Sequence, residues 1–318
     1  MDFDYPVLLY YKYVPVDVPE RFAAEQKALC AALGLKGRIL VASEGLNGTV
    51  VGSREATGKY METLRADVRF ADIEFKISAG TPDTFPRLSV KVRPEIVTLG
   101  APMSLTADLD NHLSPTEWKR ALEENPDAVV VDVRNQYESV AGKFSGAVAC
   151  QIENFRELPG YLDHLSEFKD KTVLMYCTGG IRCEKASALF RASGFSKVFQ
   201  LHGGIVNYQR EYGNTHWEGE CFVFDKRMTV RVDENLTQVG RCAHTARPTS
   251  RFVNCLHDLC HRLFLLAEET EAENPETVLC PECLAAGLTR LTADYKGSPS
   301  REGRNRACFG EALSKMFD

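Results

Sequence analysis

The chain has no excess of positive charge. Its 38 Lys and Arg stand against 44 Asp and Glu, a formal net charge of −6. No global basic field therefore gathers nucleic acid nonspecifically, which leaves room only for a local basic surface. It also lacks any apolar run near bilayer-spanning length, so no membrane association is expected. The start, Met1-Asp2-Phe3-Asp4-Tyr5-Pro6, has neither the basic segment nor the apolar core of a signal peptide, and the expected compartment is the cytoplasm. Cysteine, by contrast, is plentiful. Eleven unevenly spaced cysteines without a secretory leader point to thiol chemistry or metal binding more than to a disulfide scaffold. At 318 residues the chain is long enough for two or three domains, each with its own core.

Hydrophobic patterning divides the chain. Residues 1–100 read as a first domain: strand Val7 to Tyr11, helix Pro19 to Leu33 closed by Gly34, and strands Gly37 to Ala42 and Gly48 to Val51 around the turn-rich Ser43 to Asn47. A helix capped by Ser53 then runs to Arg65, followed by strands Ile73 to Ile77 and Leu88 to Val92. The order β-α-β-β-α-β is that of a ferredoxin-like or acylphosphatase-like sandwich, a fold that names no function. Arg87, Lys91 and Arg93 alternate with Leu88, Val90 and Val92, so the three cations share one strand face. That face is either solvated or a contact surface for a phosphate backbone.

A connector from Leu99 to Leu113 leads to a second domain over residues 114–215. Ser114-Pro115-Thr116-Glu117 is a helix cap, Ala128 to Val133 a strand, Leu158 to Phe168 helical, and Lys197 to Leu201 a strand. Strands alternating with helices imply an α/β domain with a parallel sheet covered on both faces. Its most informative segment is Cys177-Thr178-Gly179-Gly180-Ile181-Arg182-Cys183, set between the apolar Val173-Leu174-Met175-Tyr176 and a helix from Glu184 to Ser193. A thiol at a strand-to-helix turn meets free N–H groups and a helix dipole that favour an anion. Gly179 and Gly180 let successive N–H groups curl into a nest, and Arg182 adds a fixed charge. Such ligand sites lie beyond the carboxyl ends of the strands. Cys177 is thus the candidate nucleophile, Thr178 to Ile181 the anion cradle, and Cys183 either a resolving thiol or a packing residue. Asp132 and Arg134 are assigned to a structural ion pair and His202 to a strand-end hydrogen bond.

A Cys-rich segment covers residues 221–290. Cys255-x4-Cys260 and Cys280-Pro281-Glu282-Cys283 supply two close pairs, a spacing suited to one tetrahedral zinc, with buried free thiols as the plain alternative. Residues 291–318 form a tail, in which Lys296 to Arg306 mixes Gly, Ser, Pro, Arg and Lys.

Asp132-Val133-Arg134, Tyr137-Glu138, Phe144 to Ala147, the Cys177 loop and Leu201 to Ile205 together resemble a rhodanese domain. More closely, Tyr176 to Lys185 is similar to the signature of the rhodanese-like tRNA uridine hydroxylase family. That family also carries a sandwich before the rhodanese domain and a Cys-rich segment after it. The resemblance implies a tRNA partner and conversion of uridine to 5-hydroxyuridine at position 34, with O2 as co-substrate. Cys177 matches the family's active-site cysteine and Cys183 a second motif cysteine. Related proteins typically carry further Cys pairs where this chain has Cys242-Ala243-His244-Thr245 and Leu265 to Thr270. Two other classes stay open. A sulfurtransferase would carry a persulfide on Cys177, and a noncatalytic RNA-binding scaffold would need no Cys177. The loop from Cys177 to Arg182 has the length found in rhodanese sulfurtransferases, one residue short of the related phosphatases.

Overall fold

Alternation along the first strand sets two different faces. In the computed structural model, which describes residues 3–101, 111–233, 236–257 and 259–289, β1 (Pro6–Tyr13) buries Leu8 and Tyr10 in a core with Phe22, Ile39, Val41, Leu46, Val50 and Tyr60. Leu9, Tyr11 and Tyr13 face the opposite way. The domain continues with α1 (Pro19–Ala32), β2 (Lys36–Ala42), β3 (Gly45–Val51), α2 (Arg54–Arg65), β4 (Phe75–Ala79) and β5 (Leu88–Val92). Sheet order is β4-β1-β3-β2-β5, antiparallel except for the β2–β5 pair. This is the acylphosphatase-like sandwich expected, with β5 added at one edge. Ser53 caps α2 by accepting from the Ala56 N–H at 3.2 Å.

Within the sandwich, two elements differ from the sequence expectation. The β2–β3 turn shrinks to Ser43 and Glu44 because pairing extends to Ala42 opposite Gly45. Gly45 has φ +147, and a Cβ there would lie 2.1 Å from the Lys12 carbonyl oxygen, so glycine permits the tight entry. The fourth strand occupies Phe75–Ala79, two residues later than expected, while Ile73 turns into the core.

Next come β6 (His112–Leu113), α3 (Pro115–Glu124), β7 (Val129–Asp132), α4 (Gln136–Ser139), β8 (Gly142–Phe144), β9 (Val148–Ala149), α5 (Leu158–Tyr161), β10 (Thr172–Tyr176), α6 (Ile181–Ala192), β11 (Lys197–Leu201) and α7 (Gly204–Tyr212). The sheet β6-β11-β10-β7-β9 is parallel throughout. On the central strand β10, Val173 and Met175 pack with Leu158, Leu189 and Phe190 of α5 and α6. Tyr176 points the other way, its ring 6.2 Å from Trp118 of α3. Both faces are therefore covered, as the near-continuous apolar strands require. The expected helix Leu158 to Phe168 breaks after one turn into a 3-10 stretch, Leu162–Phe168, beside Pro159 and Gly160. Helix α6 begins at Ile181, ahead of the expected Glu184, because Gly180 at φ +99 turns the chain directly into it.

The sandwich, most of the parallel-sheet domain and residues 223–227 form one compact unit. Residues 137–145, 216–222 and 228 onward form a second. In the second unit β12 (Trp217–Gly219) pairs antiparallel with β8, β13 (Cys221–Phe222) with β14 (Thr229–Val230), and β15 (Phe252–Asn254) with β16 (Leu263–Leu265). Two short helices follow, α8 (Glu268–Glu273) and α9 (Pro281–Ala285). Among the described residues no helix is long and apolar enough to cross a membrane. The tail over Lys296 to Arg306 lies outside the described residues.

Candidate active site

Two helix N-termini converge on Cys177. Its Sγ accepts the Gly180 N–H at 3.1 Å at the start of α6. The first amides of α7 close over the same loop, Ile205 N–H donating to the Cys177 carbonyl at 3.0 Å and Val206 N–H to that of Thr178 at 3.1 Å. A Cβ on Gly204 would lie 2.5 Å from the Cys177 oxygen, so the second helix can approach only through glycine. Cys177 is fully buried. Burial opposes its ionisation, yet the Cys183 thiol that donates to it, the Arg182 guanidinium and the N–H groups of Arg182 and Gly180 outweigh that and hold it down at about 5. Cys183 is driven the other way, well above the usual thiol range, by its own burial and by the neighbouring thiolate. The pair is therefore one thiolate and one thiol donor. Arg182 is 6% exposed, with its Nη2 3.4 Å from Thr178 Oγ1.

The residues just after Cys183 hold the sandwich against this loop. Glu184 Oε1 accepts from the Tyr11 hydroxyl at 3.0 Å and lies 3.1 Å from His112 Nε2. Lys185 Nζ donates to Glu44 at 2.9 Å, Glu95 at 2.6 Å and the Val97 carbonyl at 3.1 Å. Tyr13 donates its hydroxyl to the Ile181 carbonyl. The outward face of β1 thus lies on the Cys177 loop. A Cβ on Gly179 would meet Leu9 at 3.0 Å, and one on Gly180 would meet the Tyr11 oxygen at 2.8 Å. Both glycines consequently serve the docking of the sandwich as well as the nest. Sequence reasoning missed Tyr11, Glu44 and Glu95, whose partners lie far away in the chain.

Arg87, Lys91 and Arg93 are exposed around β5, while Leu88, Val90 and Val92 pack on the sandwich core. The alternation thus separates cations from core as the spacing predicts. Asp132 and Arg134 form a fully buried pair, Nη2 to Oδ2 2.6 Å, which also receives the Tyr176 hydroxyl at 2.9 Å. His202 is half-exposed and faces Glu74 at 3.4 Å, and its N–H donates to the Leu113 carbonyl. Of the described aromatic residues only Tyr5 and Phe224 are exposed. Phe224 lies beside the Cys177 loop, with the Arg182 guanidinium 5.7 Å from its ring centroid.

In the second unit Cys255, Cys260, Cys280 and Cys283 bring four buried sulfurs within 4.8 Å of one another. Zn–S bonds of about 2.3 Å place tetrahedral sulfurs about 3.8 Å apart, and Cys260 and Cys280 are separated by 3.8 Å. The Cys280 N–H donates to Cys255 Sγ at 3.2 Å. The donor set fits one zinc ion. The two positions where further Cys pairs were expected also meet. Cys242 Sγ is 3.7 Å from Thr270 Oγ1, and the Thr245 and Thr270 hydroxyls are 3.0 Å apart. The Ala267 N–H also reaches Cys242, so a thiol–hydroxyl cluster stands where the further Cys pairs were expected. Burial opposes ionisation of Cys242, but the Ala267 N–H, the Thr245 hydroxyl and the His244 and Thr245 N–H groups bring it down to about 6.

Comparison with known proteins follows the same three-part division. Family models match residues 5–96 as a UPF0176 acylphosphatase like domain, residues 114–211 as a rhodanese-like domain and residues 218–284 as a rhodanase C-terminal region. A Listeria welshimeri protein named tRNA uridine(34) hydroxylase is 46% identical over 277 residues, covering 84% of this chain and 86% of its own. A Bacillus pumilus protein of that name is 45% identical over 280 residues, 85% of this chain and 86% of its own. A third, from Shouchella clausii, is 41% identical across 98% of this chain and 99% of its own.

Proposed function

This chain belongs to the tRNA uridine(34) hydroxylase family, and from that premise we propose that it converts uridine 34 of tRNA to 5-hydroxyuridine with Cys177 as the reacting thiolate. The observation that carries the reading is a buried thiolate, held at about 5 against its burial by the Cys183 thiol, the Arg182 guanidinium and the Arg182 and Gly180 N–H groups at the start of α6. A thiolate at neutral pH is the reactive form of cysteine. It adds to uracil C6, forming the C6–S bond and shifting the electron pair toward C5 and O4. The electron-rich C5 then takes one oxygen atom, C5 loses its proton, and the C6–S bond breaks to return the thiolate. The oxygen comes from O2. The second oxygen atom leaves as water, with two electrons and two protons from a reductant of the thiol class. Arg182 and the loop N–H groups keep Cys177 ionised before addition and accept it again as leaving group.

The tRNA lies along the sandwich face beyond the loop, its phosphates meeting Arg87, Lys91 and Arg93 and its splayed anticodon base stacking on Phe224. One zinc ion on Cys255, Cys260, Cys280 and Cys283 cross-links the Cys-rich segment and takes no part in the chemistry. The protein works in the cytoplasm, where its substrate is. The persulfide-carrying sulfurtransferase is not favoured, since the curated relatives carry the hydroxylase name. Nucleoside mass spectrometry of treated tRNA tests the reading: uridine 34 should gain the mass of one oxygen with wild-type protein and none with Cys177→Ser.

A further inference from the structure

Lys76 is a buried cation that no part of the reaction above uses. It sits on β4 opposite Leu9 of β1, so its side chain shares the sheet face that covers the Cys177 loop. Only 4% of the residue is exposed, and its Nζ lies 4.9 Å from the centre of the Tyr11 ring. Tyr11 and Leu9 are the two side chains pressed against Gly180 and Gly179. The charges that Lys76 senses come from every neighbouring element. Glu74, just ahead of β4, pairs instead with His202, Glu184 on α6 is held by Tyr11, His112 and Gln200, Cys177 carries its thiolate, and Arg210 on α7 is a like charge. Among the described residues no carboxylate lies within ion-pair distance of its ammonium.

An ammonium taken out of water without a partner is strongly disfavoured, and a methionine would fill the same space without that cost. Burial lowers its proton affinity, which is the expected consequence of the missing anion. The Cys177 thiolate alone does not answer the charge, because Arg182, Cys183 and the loop amides already stabilise it.

We propose that Lys76 receives an anionic oxygen of the target nucleotide at the Cys177 loop. The inference rests on the reading that uridine reacts there, and two oxygens have the right chemistry. One is uracil O4, which gains negative charge as the thiolate adds to C6; a preorganised cation at that position acts as an oxyanion hole does. The other is the phosphodiester of the same nucleotide.

The test compares Lys76→Met, which keeps the buried stem, and Lys76→Arg, which restores the charge, with wild type. Each is first checked by thermal melting and by the rate of Cys177 alkylation with iodoacetamide, which report an intact loop. If O4 is the ligand, Lys76→Met lowers kcat by roughly a hundredfold or more with the tRNA Kd unchanged, and Lys76→Arg recovers part of it. If the phosphodiester is the ligand, Kd weakens and the salt dependence of binding loses about one phosphate's share while kcat holds. Retention of both kcat and Kd in a folded Lys76→Met overturns the proposal. Protection of Cys177 from alkylation by uridine monophosphate separates the two claims. Protection in wild type that disappears in Lys76→Met supports the lysine's role even if no 5-hydroxyuridine forms, an outcome that would sink only the hydroxylase reading. Equal protection in both proteins counts against Lys76.

Discussion

The Tyr11 hydroxyl donates to Glu184 Oε1 at 3.0 Å, joining the sandwich sheet to the helix that begins at the catalytic loop. The motif therefore joins two features in adjacent turns, the thiolate loop from Cys177 to Cys183 and the Glu184-Lys185 contacts that hold the sandwich against it. Tyr11→Phe should cost about 1 kcal/mol of stability and lower tRNA hydroxylation, while alkylation of Cys177 by a small reagent persists. Melting temperature and the two rates, measured on the same preparation, check this.

Lys185→Met should be harsher. It leaves Glu44 and Glu95 without their cation, and Lys185 itself is nearly fully buried. A loss of roughly 2–4 kcal/mol is expected, read from denaturant unfolding. A change below about 0.5 kcal/mol, the ordinary effect of a surface substitution, would show that the docking contact is not a stabilising one.

Alkylation of Cys177 should rise with pH through a midpoint of about 5 and stay flat above it, since only the thiolate reacts. Removing the donor in Cys183→Ala moves that midpoint upward, because the ionised form loses a hydrogen bond that the protonated form does not need. Cys183→Ser retains a donor and should shift it less. The pH-dependent rate of iodoacetamide labelling at Cys177, read by peptide mapping, measures all three. A midpoint unmoved by Cys183→Ala would remove Cys183 from the account.

Protein purified without chelator should contain one equivalent of zinc, lost in Cys283→Ser. The Cys242, Thr245, Ala267 and Thr270 cluster should bind none. Installing thiols at its three other positions, with Thr245→Cys, Ala267→Cys and Thr270→Cys together, should raise the content to two. Metal analysis reads both numbers, and a zinc-free wild type would sink the first assignment.

Changing Arg87, Lys91 and Arg93 together to Glu should weaken tRNA binding and flatten its logarithmic salt dependence by roughly 2 units for three phosphate contacts. Filter-binding titrations across salt concentrations measure the slope. An unchanged slope would move the RNA elsewhere.

Local signals carried much of this architecture. The apolar run ending at Tyr176 followed by paired glycines marked a buried parallel strand entering a helix. Ser53 and Ser114 announced helices because capping is a contact within a few residues. The two Cys pairs, singled out by spacing alone, bring their four sulfurs within 4.8 Å of one another. What was illegible was long-range. Glu44 read as part of a turn, yet its carboxylate holds the Ile96 N–H and Lys185, and no periodicity links residues so far apart. Lys76 lay unremarked within the expected strand Ile73 to Ile77, and only the pairing of β4 with β1 puts it on the face over the Cys177 loop. Phe224 was one aromatic among many, and only exposure beside Arg182 distinguishes it.

The central claim is that Cys177 inserts oxygen into uridine 34. Treating tRNA with the protein under isotopically labelled dioxygen, beside an anaerobic sample and a Cys177→Ser sample, tests it most directly. The account predicts labelled 5-hydroxyuridine at position 34 in the first sample and unmodified uridine in the other two. Product formed without Cys177, or no product while sulfur transfer from thiosulfate proceeds, would contradict it.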